Sequence, residues 1–320
     1  MARVFASIDL GGTNTSCALA SGDGAILAER TIPTQSNQGP DAVLDRIAST
    51  LEALASEVGE GPQAAGMGVP GLADRANGTT LFLPNLPTQW RGVAVAQFLS
   101  ARIACPVYLL NDVRIATLGE MTFGLASKTG TMVFFALGTG IGGGIVVDGR
   151  LRLGPLGAAG ELGHQTILPD GPLCGCGNHG CLESLASGPA ITAEGVRLML
   201  SGMAPRLYEM TCGKVAEVSP KSMAAAAAAG DDAIRQAIVR AAGYLGIGAA
   251  NIVTALHPDL VVLGGGVAAI GGLLLDTVRT TVRNRVRMFP VDGVAIEISR
   301  LGDKTGLYGG IALAVQGGKV

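Results

Sequence analysis

One short stretch, residues 161–183, constrains this chain of 320 residues more than any other part of it. Its sequence is ELGHQTILPDGPLCGCGNHGCLE, in which glycines permit the tight turns that bring nearby side chains together. Three thiolates and one imidazole complete the tetrahedral ligand set of a structural zinc ion. The candidate ligands are His164, Cys174, Cys176 and Cys181. Two carboxylates, Glu161 and Glu183, bracket them, so a bound metal would also fix where those carboxylates point.

Two other interpretations fit the same cysteines. The stretch could be a loop without a metal, or it could hold a disulfide, although a Cys-x-Cys bridge is strained. The type and number of ligands favour zinc. The other three cysteines, Cys17, Cys105 and Cys212, are scattered along the chain. We expect them to be buried free thiols in a reducing cytoplasm.

The pattern Glu-x-Gly-His followed by Cys-x-Cys-Gly-x-x-Gly-Cys-x-Glu resembles the ROK family of sugar kinases and repressors. This resemblance implies an α/β chain with the actin-like (hexokinase/ribonuclease H-like) fold, two domains with a cleft between them. The smaller N-terminal α/β domain is then expected at 1–112, joined by a C-terminal helix at about 303–320. The larger α/β domain, with the zinc loop, is expected at 113–302.

The first strand and its turn carry a candidate phosphate motif. Residues 4–10 predict a buried strand, and the turn that follows is rich in glycine, which lets backbone N–H groups approach a phosphate. A carboxylate at the strand end could hold Mg²⁺ through water. An ordinary Gly-Gly hairpin fits the residues equally well. The resemblance to the first phosphate motif of actin-like kinases favours the ATP site, with Asp9, Gly11, Gly12 and Thr13 as its residues.

A second glycine cluster follows the strand predicted at 131–137. Gly138, Gly140 and Gly143 formally match a dinucleotide fingerprint, but that fingerprint must open a helix, and residues 145–147 predict another strand. A hairpin that resembles the family's second phosphate motif fits better, with Gly138, Thr139 and Gly140 at the phosphates. The sequence contains no Gly-x4-Gly-Lys-Ser/Thr segment, which excludes a Walker-type loop.

A third glycine cluster follows the buried strand predicted at 258–263 and precedes a helix expected from about 273. It could be a plain turn between a strand and a helix, but three successive glycines exceed what such a turn needs. We therefore expect Gly265 and Gly266 to lie at the adenosine of ATP.

Asn111 and Asp112 follow a strand predicted at 107–110. A carboxylate at a strand end lies at the ligand-bearing edge of an α/β sheet, but Asp112 could instead cap the next helix, and the sequence alone leaves both open. The resemblance to the Asn-Asp pair of sugar kinases implies that Asp112 is the catalytic base and Asn111 a sugar ligand. The family commonly continues Asp-Ala-Asn, whereas this chain has Arg114 in the third position.

The resemblance also implies which residues bind the sugar hydroxyls, with Asn85 from the segment Pro-Asn-Leu among them. The expected set is Asn85, Asn111, Asp112, Glu161, His164 and Glu183. The expected reaction is ATP-dependent phosphorylation of the 6-hydroxyl of a hexose, with Mg²⁺ and structural Zn²⁺, and motif similarity favours glucose as the hexose. Fructokinase, mannokinase and N-acetylhexosamine kinase share these motifs.

Two non-enzymatic alternatives remain. Some family members are repressors with a DNA-binding domain before the kinase-like part, and here the first strand begins at Val4, which leaves no room for one. A sugar-responsive regulator that has lost turnover is the other alternative. We expect a cytoplasmic homodimer or homotetramer with hexose and ATP as its ligands. The near-balance of 23 Lys and Arg against 25 Asp and Glu predicts no nucleic-acid partner. The two uncharged runs at 129–147 and 260–275 predict strands with ligand loops rather than membrane spans.

Overall fold

The computed structural model describes residues 3–84, 86–87, 90–126 and 129–320. The strands in chain order are β1 (Val4–Leu10), β2 (Asn14–Ser21), β3 (Ile26–Pro33), β4 (Ala65–Val69), β5 (Leu72–Asp74), β6 (Thr79–Phe82), β7 (Val107–Asn111), β8 (Met132–Leu137), β9 (Ile141–Val147), β10 (Arg150–Leu151), β11 (Leu260–Gly264) and β12 (Ala295–Ile298).

The helices in chain order are α1 (Pro40–Val58), α2 (Val95–Ile103), α3 (Asp112–Phe123), α4 (Leu182–Ala186), α5 (Gly188–Leu200), α6 (Pro205–Thr211), α7 (Pro220–Ala228), α8 (Asp232–Leu256), α9 (Gly272–Arg285) and α10 (Thr305–Val315). Both uncharged runs form strands with glycine-rich loops, as the sequence predicted.

Ten of the twelve strands given above form two five-stranded sheets of the same design, and β5 and β6 pair in a separate two-stranded sheet. The first has the order β3-β2-β1-β4-β7, in which β1, β2 and β3 are antiparallel neighbours and β1, β4 and β7 run parallel. The second has the order β10-β9-β8-β11-β12, with β8, β11 and β12 parallel. The central strands are almost continuously buried, which explains their unbroken apolar sequence. The two sheets therefore share one topology.

The chain divides into two compact units. Unit 1 comprises Met1–Thr129, Gly144–Ala159 and Arg300–Val320, and unit 2 comprises Gly130–Gly143 and Gly160–Ser299. Helices α3 and α10 both belong to unit 1. The domain boundary at residues 112/113 that we expect from the sequence stays a prediction.

Helix α10 packs closely on α3, β1 and β4 within unit 1. Its small residues allow this, because the helix presents glycine and alanine where it crosses its neighbours. The Ser7 hydroxyl donates a hydrogen bond of 2.7 Å to the carbonyl oxygen of Leu307, which fixes the helix against β1. A methyl group added at Gly309 would overlap the carbonyl oxygen of Ile115 in α3.

We therefore expect Gly309→Ala to lower the free energy of unfolding by about 2 kcal/mol, because overpacking a closed helix contact forces backbone shifts. Gly243→Ala in α8 is the matched control. Among the described residues nothing lies within 4 Å of a methyl group added there, so it should stabilise α8 by up to about 1 kcal/mol. Urea denaturation of both variants measures the difference, and equal stability would contradict the packing argument.

Helix α8 is the core helix of unit 2 and packs against α9. In the described part of the chain it is the one helix long and apolar enough to cross a membrane by length and composition. Just over half of its most apolar stretch, 56%, is buried inside the protein, as expected of a core helix.

Candidate functional site

The structure brings the four predicted metal ligands of unit 2 together. The ligand atoms of His164, Cys174, Cys176 and Cys181 all lie within 4.8 Å of one another. The Cys176 and Cys181 sulfurs are 3.7 Å apart, and the Cys174 sulfur is 3.7 Å from His164 Nδ1. A tetrahedral zinc ion with bonds of about 2.3 Å separates its ligand atoms by about 3.7 Å. The ligand set and its spacing therefore fit structural zinc.

Short turns hold these ligands. His164 ends the 3-10 helix Leu162–His164, and Cys181 is the residue before α4. The Cys174 amide donates to the carbonyl oxygen of Asn178 at 2.7 Å, which closes the turn that carries two of the sulfurs. Gly180, at φ +64°, must be glycine, because a methyl group there would overlap the carbonyl oxygen of Leu168.

The thiols are held in different electrostatic surroundings. Burial raises the pKa of the Cys174 and Cys181 thiols, whereas the backbone N–H of Asn178 lowers the pKa of Cys176. A bound cation would stabilise all three thiolates and release their protons. All six cysteines lie in the described part of the chain and are free thiols. Cys17 and Cys105 are buried as expected, but Cys212 is exposed, because it ends α6 in a left-handed conformation at the surface.

Both bracketing carboxylates lie beside the metal ligands. Glu161 Oε2 is 4.0 Å from Nε2 of His164, the ring nitrogen that does not face Cys174. Glu183 lies in the first turn of α4, with Oε1 3.8 Å from the Cys174 sulfur. Its other oxygen, Oε2, accepts a hydrogen bond of 2.9 Å from the Ile141 amide. Each carboxylate therefore lies within 4.0 Å of a predicted metal ligand.

The second glycine cluster is a hairpin turn between β8 and β9. The Gly138 amide donates to the carbonyl oxygen of Gly140 at 2.9 Å, and β9 begins at Ile141. Because a strand follows the turn rather than a helix, the rejection of a dinucleotide fingerprint is confirmed. Thr139 is exposed at the tip of this turn.

The third glycine cluster lies against the end of β8. Gly265 has φ +84°, and a methyl group added there would lie 2.5 Å from the carbonyl oxygen of Leu137. The loop therefore approaches the Gly138 turn within unit 2. A 3-10 helix, Gly266–Ile270, comes before α9, so the glycines do not open that helix directly.

The first glycine cluster is the turn between β1 and β2 of unit 1. The Gly11 amide donates to the carbonyl oxygen of Asn14 at 3.0 Å, and Gly12 and Thr13 are exposed in the turn. Thr34 ties the turn to β3, because its hydroxyl donates to the carbonyl oxygen of Gly11 at 2.8 Å. Exposed backbone amides at such a turn are available for a phosphate.

Asp9 lies one residue from the end of β1, where burial raises the pKa of its carboxyl group. A methyl group added at Gly306 would overlap Asp9 Oδ2, so the start of α10 approaches this carboxylate. Gly68 lies between Asp9 and Asp112, the other candidate carboxylate. A methyl group added at Gly68 would lie 3.6 Å from Asp9 Oδ1 and 3.5 Å from the Cα atom of Asp112. Unit 1 therefore brings Asp9 and Asp112 to neighbouring positions. Carboxylate oxygens are ligands that a hard cation such as Mg²⁺ takes in proteins.

The helix cap at α3 is Asn111, not Asp112. Asn111 Oδ1 accepts from the amides of Val113 at 3.1 Å and Arg114 at 3.2 Å, and Asp112 is the first helical residue. Asn111 Nδ2 donates to Asp112 Oδ1 at 2.9 Å and to the carbonyl oxygen of Gly71 at 3.2 Å. This amide group therefore orients the Asp112 carboxylate, whose Oδ1 also accepts a hydrogen bond of 2.9 Å from the Val113 amide. Asn111 is the N-cap residue of α3, and Asp112 adds one bond to the first turn of that helix.

Arg114, where the family commonly has asparagine, is 2% exposed. Its Nη1 donates to Asn111 Oδ1 at 3.3 Å, so the guanidinium supports the same amide that orients Asp112. In the sequence, the departure from the family motif at Arg114 was the one sign of this role. No local sequence pattern marks Gly68 or Gly306, although both lie close to Asp9. Asn85 lies outside the described residues.

Comparisons with known proteins agree with this fold. The model of the ROK family matches residues 5–317, so the chain belongs to this family. A glucokinase of Thermotoga maritima is 35% identical over 319 residues, covering 96% of this chain and 95% of that protein. A xylose repressor of Caldicellulosiruptor bescii is 34% identical over 251 residues, covering 78% of this chain and 62% of the repressor. The chain thus spans less than two thirds of that repressor.

Among solved structures, a ROK family glucokinase of Streptomyces griseus, determined in complex with glucose and AMPPNP, superposes with a TM-score of 0.85. It is 31% identical, and the match covers 98% of this chain and 99% of that one. The similarity confirms the α/β actin-like sugar-kinase fold expected from the sequence.

Proposed function

We propose that this protein is an ATP-dependent hexose kinase that phosphorylates the 6-hydroxyl of its sugar, with glucose as the preferred substrate. The observation that carries the proposal is the Asp112 carboxylate, which the Asn111 amide orients at the strand edge beside Asp9. A general base must be held in a fixed direction toward the proton it accepts. The similarity to glucokinases over nearly the whole chain supports a sugar kinase.

Asp112 would accept the proton of the 6-hydroxyl as that oxygen attacks the γ-phosphate of ATP. Asn111 would act mainly through Asp112, because both protons of its Nδ2 are already donated. Phosphoryl transfer otherwise needs positioning and charge stabilisation. The exposed amides of Gly12 and Thr13 in unit 1 would bind phosphate oxygens, in the turn that the Gly11 amide closes by its bond to Asn14. Asp9 would hold Mg²⁺ through water, and that cation supplies charge neutralisation at the phosphates.

In unit 2, Glu161, His164 and Glu183 would bind sugar hydroxyls, and Asn85 would add another contact. The turn at Gly138, Thr139 and Gly140 would bind phosphate oxygens, with Gly265 and Gly266 beside the adenosine. The Cys3His cluster fits zinc, which supplies no chemistry to the reaction when all four positions are protein ligands. Its role would be to hold His164 and the two carboxylates in place.

The remaining properties belong to the same proposal. A cytoplasmic homodimer or homotetramer fits a sugar kinase of this family, with hexose and ATP as its ligands and no nucleic-acid or membrane partner. A sugar-responsive regulator is the second candidate, because a xylose repressor is among the relatives. The oriented Asp112 carboxylate favours the enzyme, since a sensor has no need of a base.

A panel of sugars with ATP and Mg²⁺, assayed by coupled detection of ADP, tests both candidates. We expect the highest kcat/KM for glucose among glucose, fructose, mannose, N-acetylglucosamine and N-acetylmannosamine. A preference of more than about tenfold for another sugar, or some 1.4 kcal/mol of transition-state binding, would reject glucose and keep the kinase. No turnover of any sugar, with binding measured by calorimetry, would instead support the regulator.

A further inference from the structure

We propose that Glu183 is a positioning residue for the nucleotide turn, so that the affinity of unit 2 for ADP depends on the Cys3His metal loop. The Glu183 carboxylate contacts both the nucleotide turn and the metal loop. Its Oε2 accepts from the Ile141 amide at 2.9 Å, and its Oε1 lies 3.8 Å from the Cys174 sulfur. The role of the turn in nucleotide binding rests on the proposed kinase function, whereas the coupling between loop and turn rests on these contacts alone.

The position of Glu183 follows from the metal ligands. It comes two residues after Cys181, in the first turn of the short helix α4. The amide of Leu182 between them donates to the carbonyl oxygen of Gln165 at 2.9 Å, and Gln165 follows His164. A metal that holds Cys181 and His164 therefore also holds the start of α4, from which the Glu183 side chain reaches the turn.

The segment that carries the metal ligands and α4 contacts the Gly138 turn at two further points. The Gly188 amide, two residues past the end of α4, donates to the carbonyl oxygen of Gly138 at 2.9 Å. A methyl group added at Gly163, the residue before His164, would overlap the carbonyl oxygen of Ile141. A methyl group at Gly140 would overlap Glu183 Oε2. The turn is therefore in close contact with the metal loop on several sides, and Gly140 is required by that contact.

A hydrogen bond to a charged acceptor contributes more to stability than a hydrogen bond to a neutral acceptor. The bond to Glu183 fixes the Ile141 amide at the end of the turn. Phosphate binding by backbone N–H groups depends on their alignment, so release of the Ile141 amide would reduce nucleotide affinity. From the sequence, the turn appeared independent of the metal loop, because the two are separated along the chain. Their contacts indicate that removal of the metal affects the nucleotide as well as the sugar.

Hydrogen exchange and ADP titration of the zinc-loaded protein test the coupling. In Glu183→Ala we expect the Ile141 amide to exchange about tenfold faster, because its acceptor is lost. The dissociation constant for ADP should rise about fivefold or more. Glu183→Gln should resemble the wild type, because its amide oxygen still accepts the bond. Glu161→Ala is the matched control: its carboxylate lies beside His164 on the same loop, and its removal should leave both readouts unchanged. Chelation of the wild-type metal should reproduce the alanine variant.

Unchanged exchange and unchanged ADP affinity in Glu183→Ala would overturn the proposal, as would equal effects in Glu161→Ala. Zinc content is measured in every variant. If Glu183→Ala loses zinc, Glu183→Asp provides the second test, because its shorter side chain keeps the charge but does not reach the amide. In the zinc-loaded Glu183→Asp protein, faster exchange supports the coupling and wild-type exchange overturns it. If the wild type binds no ADP while the exchange results hold, the proposed kinase function fails and the coupling stands.

Discussion

Asp112→Asn is expected to lower kcat by about a hundredfold or more, with hexose binding largely retained. The substitution preserves size and hydrogen bonding, but the amide does not accept the proton of the 6-hydroxyl. The α3 cap should remain, since it depends on Asn111 rather than on Asp112. The coupled ADP assay measures kcat, and calorimetry measures hexose affinity in the same preparation.

Asp23→Asn is the control for this variant. Asp23 is an exposed carboxylate in the turn between β2 and β3, where it accepts from the Ser21 hydroxyl. Its loss should leave kcat unchanged. Turnover near the wild-type rate in Asp112→Asn would remove Asp112 from the role of base. A parallel loss of hexose affinity would show instead that the carboxylate acts mainly in binding.

The sequence predicted the parts of the fold that depend on local patterns. The hairpin at Gly138 follows from a glycine cluster with apolar runs on both sides, and β8 and β9 confirm it. The four metal ligands were identified because thiol and imidazole side chains at close spacing have few other purposes. The C-terminal helix was expected at about 303–320 and runs from Thr305 to Val315, because a helix end depends on local capping.

What the sequence could not predict depends on contacts between distant segments. The hairpin of β5 and β6 is short and lacks a strong alternating pattern. The approach of Gly306 to Asp9 joins residues almost 300 positions apart in the chain, and no local signal marks it. The bond from Ile141 to Glu183 is of the same kind. The cap at α3 differs, because Asn and Asp are both good caps and only the backbone geometry distinguishes them.

These contacts change how the metal loop is understood. A closed Cys3His site has a structural role, and its effect on function passes through the side chains it holds. Glu161 and His164 lie on one side of that loop, whereas Glu183 lies between the loop and the Gly138 turn. The loop therefore connects the residues proposed for the sugar with those proposed for the nucleotide.

Cys176→Ser is expected to abolish the binding of one zinc ion per chain, because an exposed serine hydroxyl is a poor substitute for a thiolate. Hexose affinity should fall by about ten- to a hundredfold, the range typical when the support of a site is lost. ADP affinity should fall by a smaller factor, since only the Glu183 contact reaches the turn. Elemental analysis, with separate titrations of hexose and ADP, measures the three effects.

Cys212→Ser is the matched control, since Cys212 is also an exposed thiol of unit 2 but lies outside the cluster at the end of α6. It should keep zinc and both affinities, which separates loss of the metal from loss of a reactive surface thiol. Adding zinc to chelated wild-type protein should restore hexose binding, whereas the same addition to Cys176→Ser should not. A metal-free wild type with full hexose affinity would contradict the structural role of the metal. A Cys176→Ser protein that binds hexose normally without zinc would contradict it as well, because the sugar residues would then keep their positions without the cluster.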